Sequence, residues 1–192
     1  MSGEINVADE ILAIYRARGA AAYFGEHVSV TEHALQAAHF ARADGAPQTL
    51  IVAALLHDIG HLLEPAPDAI EDWTADARHE VSGARWLAQR FGAEISEPVR
   101  LHVPAKRYLC WTEASYFARL SSASVHTLEL QGGPMSAHEA AQFEAERFHK
   151  EAVAIRRWDD QGKVAGLVTA SLGDYVALIA AAARQSPRRA GS

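Results

Sequence analysis

Cysteine, long apolar runs and clustered basic residues are all scarce in this 192-residue sequence. The single cysteine, Cys110, cannot form an internal disulfide, which fits a reducing compartment. No apolar run reaches the roughly 20 residues that cross a bilayer, and the N-terminal segment is amphipathic and acidic near its start, unlike a signal peptide. We therefore expect a cytoplasmic protein.

Basic charge is also limited, because the net charge is -6 and no basic cluster lies on the main body of the chain. This balance argues against nucleic acid or an anionic membrane as a partner. Hydrophobic residues make up 49% of the sequence and charged residues 22%, which is typical of a globular protein. We expect a single domain over residues 1–185 and a disordered tail over 186–192.

Strand-like alternation is absent, and apolar residues recur at helical spacing almost throughout, which predicts an all-α fold. Capping boxes at Ser29–Glu32 and Ser136–Glu139 mark two helix starts. Pro104 is expected to end a helix. The predicted helices cover 7–18, 29–43, 49–63, 75–91, 97–103, 136–147, 152–163 and 172–183, with shorter ones near 112–119 and 121–130. Residues 64–73 are expected to form a loop, and 131–134 a turn.

A histidine and an aspartate stand side by side in the most apolar predicted helix, as His57-Asp58 in LHDIGH. Burying an unpaired carboxylate there would cost several kcal/mol, and a metal ion would compensate that cost directly. A satisfied polar pair in the core is the alternative. On this dipeptide alone the two interpretations have about equal weight.

Ten histidines are present, and four of them join two aspartates in the order H…HD…H…H…D. Any one of these histidines alone is more often structural or exposed, but the full ordered set, spread over five predicted helices, predicts metal binding. An adjacent His-Asp pair can serve two metals if the carboxylate bridges them. Imidazole with carboxylate suits iron, manganese or zinc rather than calcium. The predicted ligands are His33, His57, Asp58, His79, His102 and Asp159.

This pattern resembles the HD-domain superfamily over about residues 23–163, which implies an HD-domain helical bundle. Further features are more specific: Tyr23-Phe24-Gly25-Glu26, His61, Lys106 in HVPAKRYLC, the segment LSSASVHTLELQGGPMS, and RRWDDQGK. Together they resemble the diiron oxygenases that cleave organophosphonates. The inositol oxygenases are more distant relatives with the same type of centre.

The resemblance implies two iron ions in a mixed-valent Fe(II)/Fe(III) state, with dioxygen as co-substrate. One iron would be held by His33, His57, Asp58 and Asp159, and the other by Asp58, His79 and His102. Asp58 would bridge the two. Asp160 is the rival to Asp159, which the family's R-x-W-D pattern favours. Tyr23 would occupy an open iron position at rest and swing away when substrate arrives.

The resemblance also implies the substrate contacts. Glu26 would accept the substrate's amino group, while the phosphonate would be surrounded by His61, Lys106, Ser124 and Arg156. Ser121 and Ser122 lie beside Ser124 and leave that assignment open. Cationic side chains with a histidine suit a doubly charged phosphonate. His57 and His61 are four residues apart, so we expect them to share a helical face and address one site.

The implied reaction is oxidative cleavage of the C–P bond of a 1-hydroxy-2-(trimethyl)aminoethylphosphonate, giving inorganic phosphate and glycine or glycine betaine. A primary ammonium needs hydrogen-bond acceptors such as Glu26, whereas a trimethylammonium group needs aromatic faces. The primary amine is preferred, and the candidate aromatic walls are Phe24, Trp73, Tyr108, Trp111 and Tyr116. The expected partner is this small organophosphonate, and a homo-oligomer is left open.

Two other functions use the same ligand set. The first is a metal-dependent HD phosphohydrolase acting on phosphate esters or nucleotides. The second is a non-catalytic metal- or ligand-binding module. Tyr23, Glu26, Lys106 and the QGGPMS segment argue against the hydrolase because they match the oxygenases. Spare polar residues around the ligands argue against a purely structural site, since such sites are usually closed.

Overall fold

A computed structural model of the chain describes residues 6–23, 26–63 and 78–185. Over those ranges it contains ten α-helices and no β-strand, which confirms the all-α prediction. The helices are α1 Val7–Arg18, α2 Val30–Ala43, α3 Gln48–Leu56, α4 Ile59–Leu63, α5 His79–Ala88, α6 Ala93–Thr112, α7 Ser122–Leu130, α8 Ala137–Glu144, α9 His149–Gln161 and α10 Val176–Gln185. Two short 3-10 helices cover Phe117–Arg119 and Leu172–Tyr175. The predicted 64–73 loop and the 186–192 tail lie outside the described residues.

Helix α3 is the centre of the bundle, as its apolar composition predicts. Residues 50–56 are all buried, and the helix packs against α2, α6, α9 and α10. Helices α5 and α6 pack on one another, and α6 also lies along α9. A smaller apolar cluster between α6, α8 and α9 includes Leu101, Met135 and Phe143. None of the described helices is long and apolar enough to cross a membrane.

The prediction of one continuous helix over 49–63 is wrong, because the chain turns at His57-Asp58 between α3 and α4. Two side chains form hydrogen bonds with backbone carbonyls at the end of α3. His57 Nδ1 lies 2.8 Å from the carbonyl oxygen of Ala54, and the Tyr15 hydroxyl donates to that of Leu55 at 2.8 Å. These bonds satisfy carbonyls at a helix terminus that is completely buried. The two residues of the HD pair therefore stand in a turn at the core.

The predicted stop at Pro104 is also wrong. Helix α6 runs for 20 residues and contains both Pro98 and Pro104. A proline inside a helix costs a hydrogen bond and steric strain, about 3 kcal/mol. The burial of α6 between α5 and α9 offsets that cost. The continuation matters for the site because it keeps His102 and Lys106, one turn apart, on the same buried face.

Other boundaries differ less. The capping box at Ser29 and Glu32 forms and begins α2, and the one at Ser136 and Glu139 begins α8. The helix expected near 112–119 is reduced to the 3-10 turn Phe117–Arg119, and α8 ends at Glu144 rather than near residue 147. Residues 131–134 form the predicted turn, with positive φ at Gly132 and Gly133.

Candidate metal centre

All six predicted ligand side chains meet at one place in the core. Helix α2 supplies one, the turn between α3 and α4 supplies two, and α5, α6 and α9 supply one each. In chain order these are His33, His57, Asp58, His79, His102 and Asp159. All six are at most 8% exposed. Four imidazoles and two carboxylates buried together constitute an unusual polar cluster that needs a physical explanation.

The first group of donor atoms faces Oδ2 of Asp58. Nε2 of His33 lies 3.1 Å from Nε2 of His57 and 3.6 Å from Asp58 Oδ2. Nε2 of His57 lies 3.4 Å from the same oxygen. Oδ1 of Asp159 completes the group at 3.4 Å from His33 Nε2 and 3.9 Å from His57 Nε2.

The second group faces the other oxygen of the same carboxylate. Oδ1 of Asp58 lies 3.2 Å from Nε2 of His79 and 3.5 Å from Nε2 of His102. The two Nε2 atoms are 3.2 Å apart. His61 also belongs near this group, since its ring stacks on His79 with centroids 3.8 Å apart. One donor atom each from Asp58, His61 and His79 lie within 4.8 Å of one another.

Hydrogen bonds to the backbone fix which nitrogen of each ring faces inward. Nδ1 of His33 lies 2.9 Å from the carbonyl oxygen of Gly162, that of His57 bonds Ala54, and that of His102 lies 2.7 Å from the oxygen of Val99. A carbonyl only accepts, so each Nδ1 must carry the hydrogen, and each neutral ring presents a lone pair at Nε2.

This arrangement fits metal ions. The Nε2 atoms of His33 and His57 are too close for two lone pairs without a cation between them, since neither ring has a hydrogen left to donate. Donor atoms about 2.1 Å from a shared octahedral ion lie about 3 Å apart, close to the separations observed. Because Asp58 turns one oxygen to each group, its carboxylate is placed to bridge two ions. Imidazole and carboxylate donors suit iron, manganese or zinc.

His79 differs from the other three histidines. Its Nδ1 faces a carboxylate, Oε2 of Glu80, at 3.7 Å. Glu80 is 5% exposed, and that oxygen has no hydrogen-bond partner among the described residues. A carboxylate behind a ligand histidine is a common way to orient the ring and raise its basicity. Glu80 was not among the predicted site residues, although the sequence shows a glutamate directly after the ligand His79.

Arg156 separates the roles of Asp159 and Asp160. Its Nη1 lies 2.7 Å from Oδ2 of Asp159, which leaves Oδ1 of that carboxylate facing His33 and His57. Asp160 points to the other side, where it pairs with Arg156 and accepts a hydrogen bond from the hydroxyl of Tyr116. The structure therefore places Asp159, and not Asp160, among the donor atoms.

A cleft opens beside the second donor group, with about 470 Å³ of empty space counted out to its mouth. Among its walls are the predicted contacts His61, Lys106, Ser124 and Arg156. Lys106 is 2% exposed and its Nζ donates to the Thr127 hydroxyl at 2.8 Å. Burial, followed by the nearby charge of Arg156, lowers the pKa of Lys106 to about 7. No carboxylate among the described residues forms an ion pair with it.

Lys163 also lines the cleft, although it was not among the predicted site residues. Its Nζ donates to the hydroxyl oxygens of Ser121 at 3.1 Å and Ser124 at 3.0 Å. Lys163 follows Asp159 by four residues, a spacing that predicts a shared helical face, but it was not assigned a role in the site. The cleft thus presents three cationic side chains with hydroxyl groups between them, a suitable arrangement for a phosphate-like dianion.

Tyr23 lies between the cleft and the first donor group. Its hydroxyl donates to Asp58 Oδ2 at 2.7 Å, and its ring stacks on His33 with centroids 3.8 Å apart. Burial, followed by the charge of Asp58, raises the pKa of Tyr23 well above its ordinary value. Glu26 contacts Lys163, with Oε1 3.2 Å from Nζ.

Two expectations about the site differ from the structure. His57 and His61 do not address one site: His57 faces His33 and Asp159, whereas His61 stacks on His79, because the turn at Asp58 separates them. The aromatic residues Tyr108, Trp111 and Tyr116 do not line the cleft. Phe24 and Trp73, also considered as aromatic walls, lie outside the described residues.

Comparison with known proteins agrees with this geometry. The HD domain family model matches residues 25–161. The chain is 51% identical over 154 residues to a hydroxymethylphosphonate dioxygenase of Gimesia maris, covering 80% of this chain and 77% of that protein. It is 44% identical over 174 residues to a [1-hydroxy-2-(trimethylamino)ethyl]phosphonate dioxygenase (glycine-betaine-forming) of Leisingera caerulea, covering 91% and 89%.

A third relative, an uncharacterized protein of Acanthamoeba polyphaga mimivirus, is 35% identical over 162 residues, covering 83% of this chain and 74% of that one. The HD family model spans both aspartates and all four histidines of the buried cluster. The chain belongs to the HD-domain superfamily and, within it, to the family of dioxygenases that act on organophosphonates.

Proposed function

We propose that this protein is an iron-dependent oxygenase that cleaves the C–P bond of a small 1-hydroxyphosphonate, releasing inorganic phosphate and a carboxylic acid. One observation carries the proposal: the carboxylate of Asp58 is shared between two donor groups beside a buried, cationic cleft. The names of two relatives, both phosphonate dioxygenases, support the same reaction.

Two iron ions in a mixed-valent Fe(II)/Fe(III) state are the proposed cofactor, with dioxygen as co-substrate. The ligands of the first ion would be His33, His57, Asp58 and Asp159, and those of the second would be Asp58, His79 and His102. When bound, the iron pair would supply the redox chemistry that oxidises C1 of the substrate with dioxygen. The protein's own residues would bind the substrate, orient it and exclude water.

The phosphonate would lie against Lys106 and Arg156, with His61 and Ser124 as further contacts. The phosphonate would be the third anion beside Arg156, which already pairs with Asp159 and Asp160. Tyr23 would cover the resting centre through its hydrogen bond to Asp58 and move aside when substrate binds. Glu26 would accept the ammonium group of a nitrogen-bearing substrate.

The proposed nitrogen-bearing substrates are 2-amino-1-hydroxyethylphosphonate, which would give glycine, and its N-trimethylated form, which would give glycine betaine. In each case one dioxygen converts the alcohol carbon to a carboxylic acid while phosphorus leaves as phosphate. Hydroxymethylphosphonate, named for a relative, is the nitrogen-free member of the series. We place the activity in one domain over residues 1–185 of a cytoplasmic enzyme, where a chain with a single cysteine meets reducing conditions.

The phosphohydrolase reading uses the same six ligands but does not account for the relatives, whose names are those of dioxygenases. The comparisons therefore favour the oxygenase. A hydrolase would work with redox-inert ions and without dioxygen, which makes the two functions separable in a single assay.

The test is phosphate release from the three 1-hydroxyphosphonates, with and without dioxygen, by protein loaded with iron anaerobically and partly oxidised. We expect oxygen-dependent phosphate with the matching carboxylic acid as co-product, and none from an Asp58→Ala variant. Hydrolysis of phosphate esters with manganese or magnesium, and no oxygen-dependent release, would overturn the proposal.

A further inference from the structure

Lys163 is fixed in place by its backbone neighbours on both sides. The carbonyl of Gly162 accepts a hydrogen bond from Nδ1 of His33 at 2.9 Å. The amide of Gln36 then clamps Val164, accepting from its N–H at 2.9 Å and donating to its carbonyl at 2.8 Å. His33 and Gln36 of α2 thus hold the backbone segment that carries Lys163. A lysine held this firmly is pre-organised for a contact in the cleft.

The ammonium of Lys163 already has three oxygen neighbours. Two are the hydroxyls of Ser121 and Ser124, and the third is Oε1 of Glu26 at 3.2 Å. The lysine and glutamate side chains are 13% and 17% exposed, so solvent screens the pair only partly. Oε1 of Glu26 accepts no well-aligned hydrogen bond from the described part of the chain. Lys163 therefore supplies the nearby positive charge that balances this carboxylate.

Lys163 also links Glu26 to the cleft, because its Nζ lies 3.2 Å from Oε1 of Glu26. In the described part of the chain, Lys163 lines the cleft and Glu26 does not. A substrate ammonium that paired with Oε1 of Glu26 would compete with Nζ of Lys163, which already lies 3.2 Å from that oxygen. The two cations cannot share that position without strong repulsion.

We infer that Lys163 is a specificity-determining residue, which sets the preference between nitrogen-bearing and nitrogen-free 1-hydroxyphosphonates by competing with the substrate ammonium for Glu26. The inference rests on the proposed function. A nitrogen-free substrate leaves the Lys163–Glu26 pair intact and gains a third cation for its phosphonate. A nitrogen-bearing substrate must displace Lys163 from Glu26 before its own ammonium can bind there.

The test compares two substrates that differ only in the amine: 2-amino-1-hydroxyethylphosphonate and 1-hydroxyethylphosphonate. In Lys163→Gln, we expect kcat/KM to fall for both, because a phosphonate contact is lost. We expect the amine to amine-free ratio of kcat/KM to rise about tenfold, because the competing charge is gone. Lys106→Gln is the matched control, since its ammonium contacts Thr127 and no carboxylate. It should weaken both substrates and leave the ratio unchanged.

A binding measurement gives a readout that does not depend on turnover. Calorimetric titration of the anaerobic holoenzyme with 2-aminoethylphosphonate and ethylphosphonate should show the same shift in ratio. In a Glu26→Gln background, the Lys163→Gln substitution should no longer change the ratio, because the carboxylate for which both cations compete is absent. Lys163→Arg, which keeps the charge, should retain the wild-type preference and serves if the glutamine variant does not fold.

The outcomes separate the two levels of the proposal. If the wild-type enzyme releases phosphate neither from these two substrates nor from the trimethylated compound or hydroxymethylphosphonate, the proposed function fails. If the wild type turns over but the ratio in Lys163→Gln equals that of wild type, the function stands and the role of Lys163 is wrong. A ratio that still shifts in the Glu26→Gln background would also overturn the competition, since Lys163 would then act without Glu26.

Discussion

The hydroxyl of Tyr23 donates to the Asp58 oxygen that faces His33 and His57, at 2.7 Å. A side chain on a loop before α2 thus covers the carboxylate that joins the two donor groups. We expect Tyr23→Phe to bind both irons but to lose protection of the resting centre. In Tyr23→Phe, air should oxidise the substrate-free mixed-valent enzyme at least about threefold faster than it oxidises the wild type, as monitored by electron paramagnetic resonance.

Equal oxidation rates in the two proteins would remove Tyr23 from any gating role. Tyr108→Phe is a suitable control, because that hydroxyl bonds Glu144 on the exposed side of α6 and lies outside the cleft.

Asp159 and Asp160 are adjacent but face different partners, which makes them a matched pair. Asp159→Asn should lower the iron content towards one ion per chain, since the first donor group loses an anionic ligand. Asp160→Asn should keep both ions, because that carboxylate pairs with Arg156 and Tyr116 instead. Metal analysis of the purified proteins measures this difference. The reverse pattern would show that Asp160 is the ligand.

Gly60 leaves no space for a side chain where α4 meets the start of α5. A Cβ at this position would lie 2.0 Å from the carbonyl oxygen of His79, so Gly60→Ala must push that ligand away. We expect a loss of about 1–3 kcal/mol in the free energy of unfolding and weaker iron binding at the second donor group. Gly173→Ala is the control, because its Cβ would meet only Ser171 Oγ, at 3.5 Å. If both variants behaved alike in denaturation and metal titration, the contact with His79 would be unimportant.

Glu80 should raise the affinity of the second donor group through His79. Replacing it by glutamine keeps the shape but removes the charge behind Nδ1. Iron affinity should fall about 10- to 100-fold at one of the two ions. Competition with a chelator measures the loss, and Glu129→Gln, an exposed position, provides the comparison. Unchanged affinity in Glu80→Gln would mean that the buried carboxylate does not act on the metal.

Lys106 should make substrate binding depend on pH. Its pKa of about 7 lies below the ordinary 10.5, so the free enzyme loses this charge as pH rises through about 7. A bound phosphonate dianion favours the charged form, and binding above pH 7 should therefore take up a proton. In Lys106→Arg the guanidinium stays charged, and the alkaline fall in kcat/KM should move to higher pH.

Calorimetry in buffers of different ionisation enthalpy measures the proton uptake of Lys106. The lowered pKa of Lys106 also makes the free energy of unfolding depend on pH. Because the unfolded chain holds this proton up to a higher pH than the folded chain does, the lysine makes stability rise between about pH 7 and 10.5. Identical pH profiles for the lysine and arginine enzymes would contradict the assignment.

Local signals in the sequence predicted most of the fold. The capping box at Ser29 places the start of α2, and the apolar run over 50–56 identifies the central helix. The break at His57-Asp58 and the continuity of α6 through Pro104 escaped prediction for one reason. Both depend on tertiary packing, such as the Tyr15 hydroxyl on the Leu55 carbonyl, which no local pattern encodes.

The site was predicted unevenly for a similar reason. The order of histidines and aspartates identified the residues that the structure brings together. Burying several polar side chains costs free energy unless they bind a common partner, so such a pattern in an apolar sequence is informative. Lys163 and Glu80 were missed, since a charged residue in sequence is ordinarily a solvated one. Lys163 is positioned by the hydrogen bonds between Gln36 of α2 and Val164, and Glu80 by its place beside His79 in α5; neither environment can be predicted from the sequence.

The donor atoms come from α2, the α3–α4 turn, α5, α6 and α9, so a bound metal would stabilise the fold as well as supply chemistry. Ligands as far apart in sequence as His33 and Asp159 converge on one point. Each bound ion therefore closes long loops of chain, as disulfides do in secreted proteins, in a sequence with only one cysteine. Removing the metal should loosen the whole bundle, because the proposed metal centre would also hold the helices together.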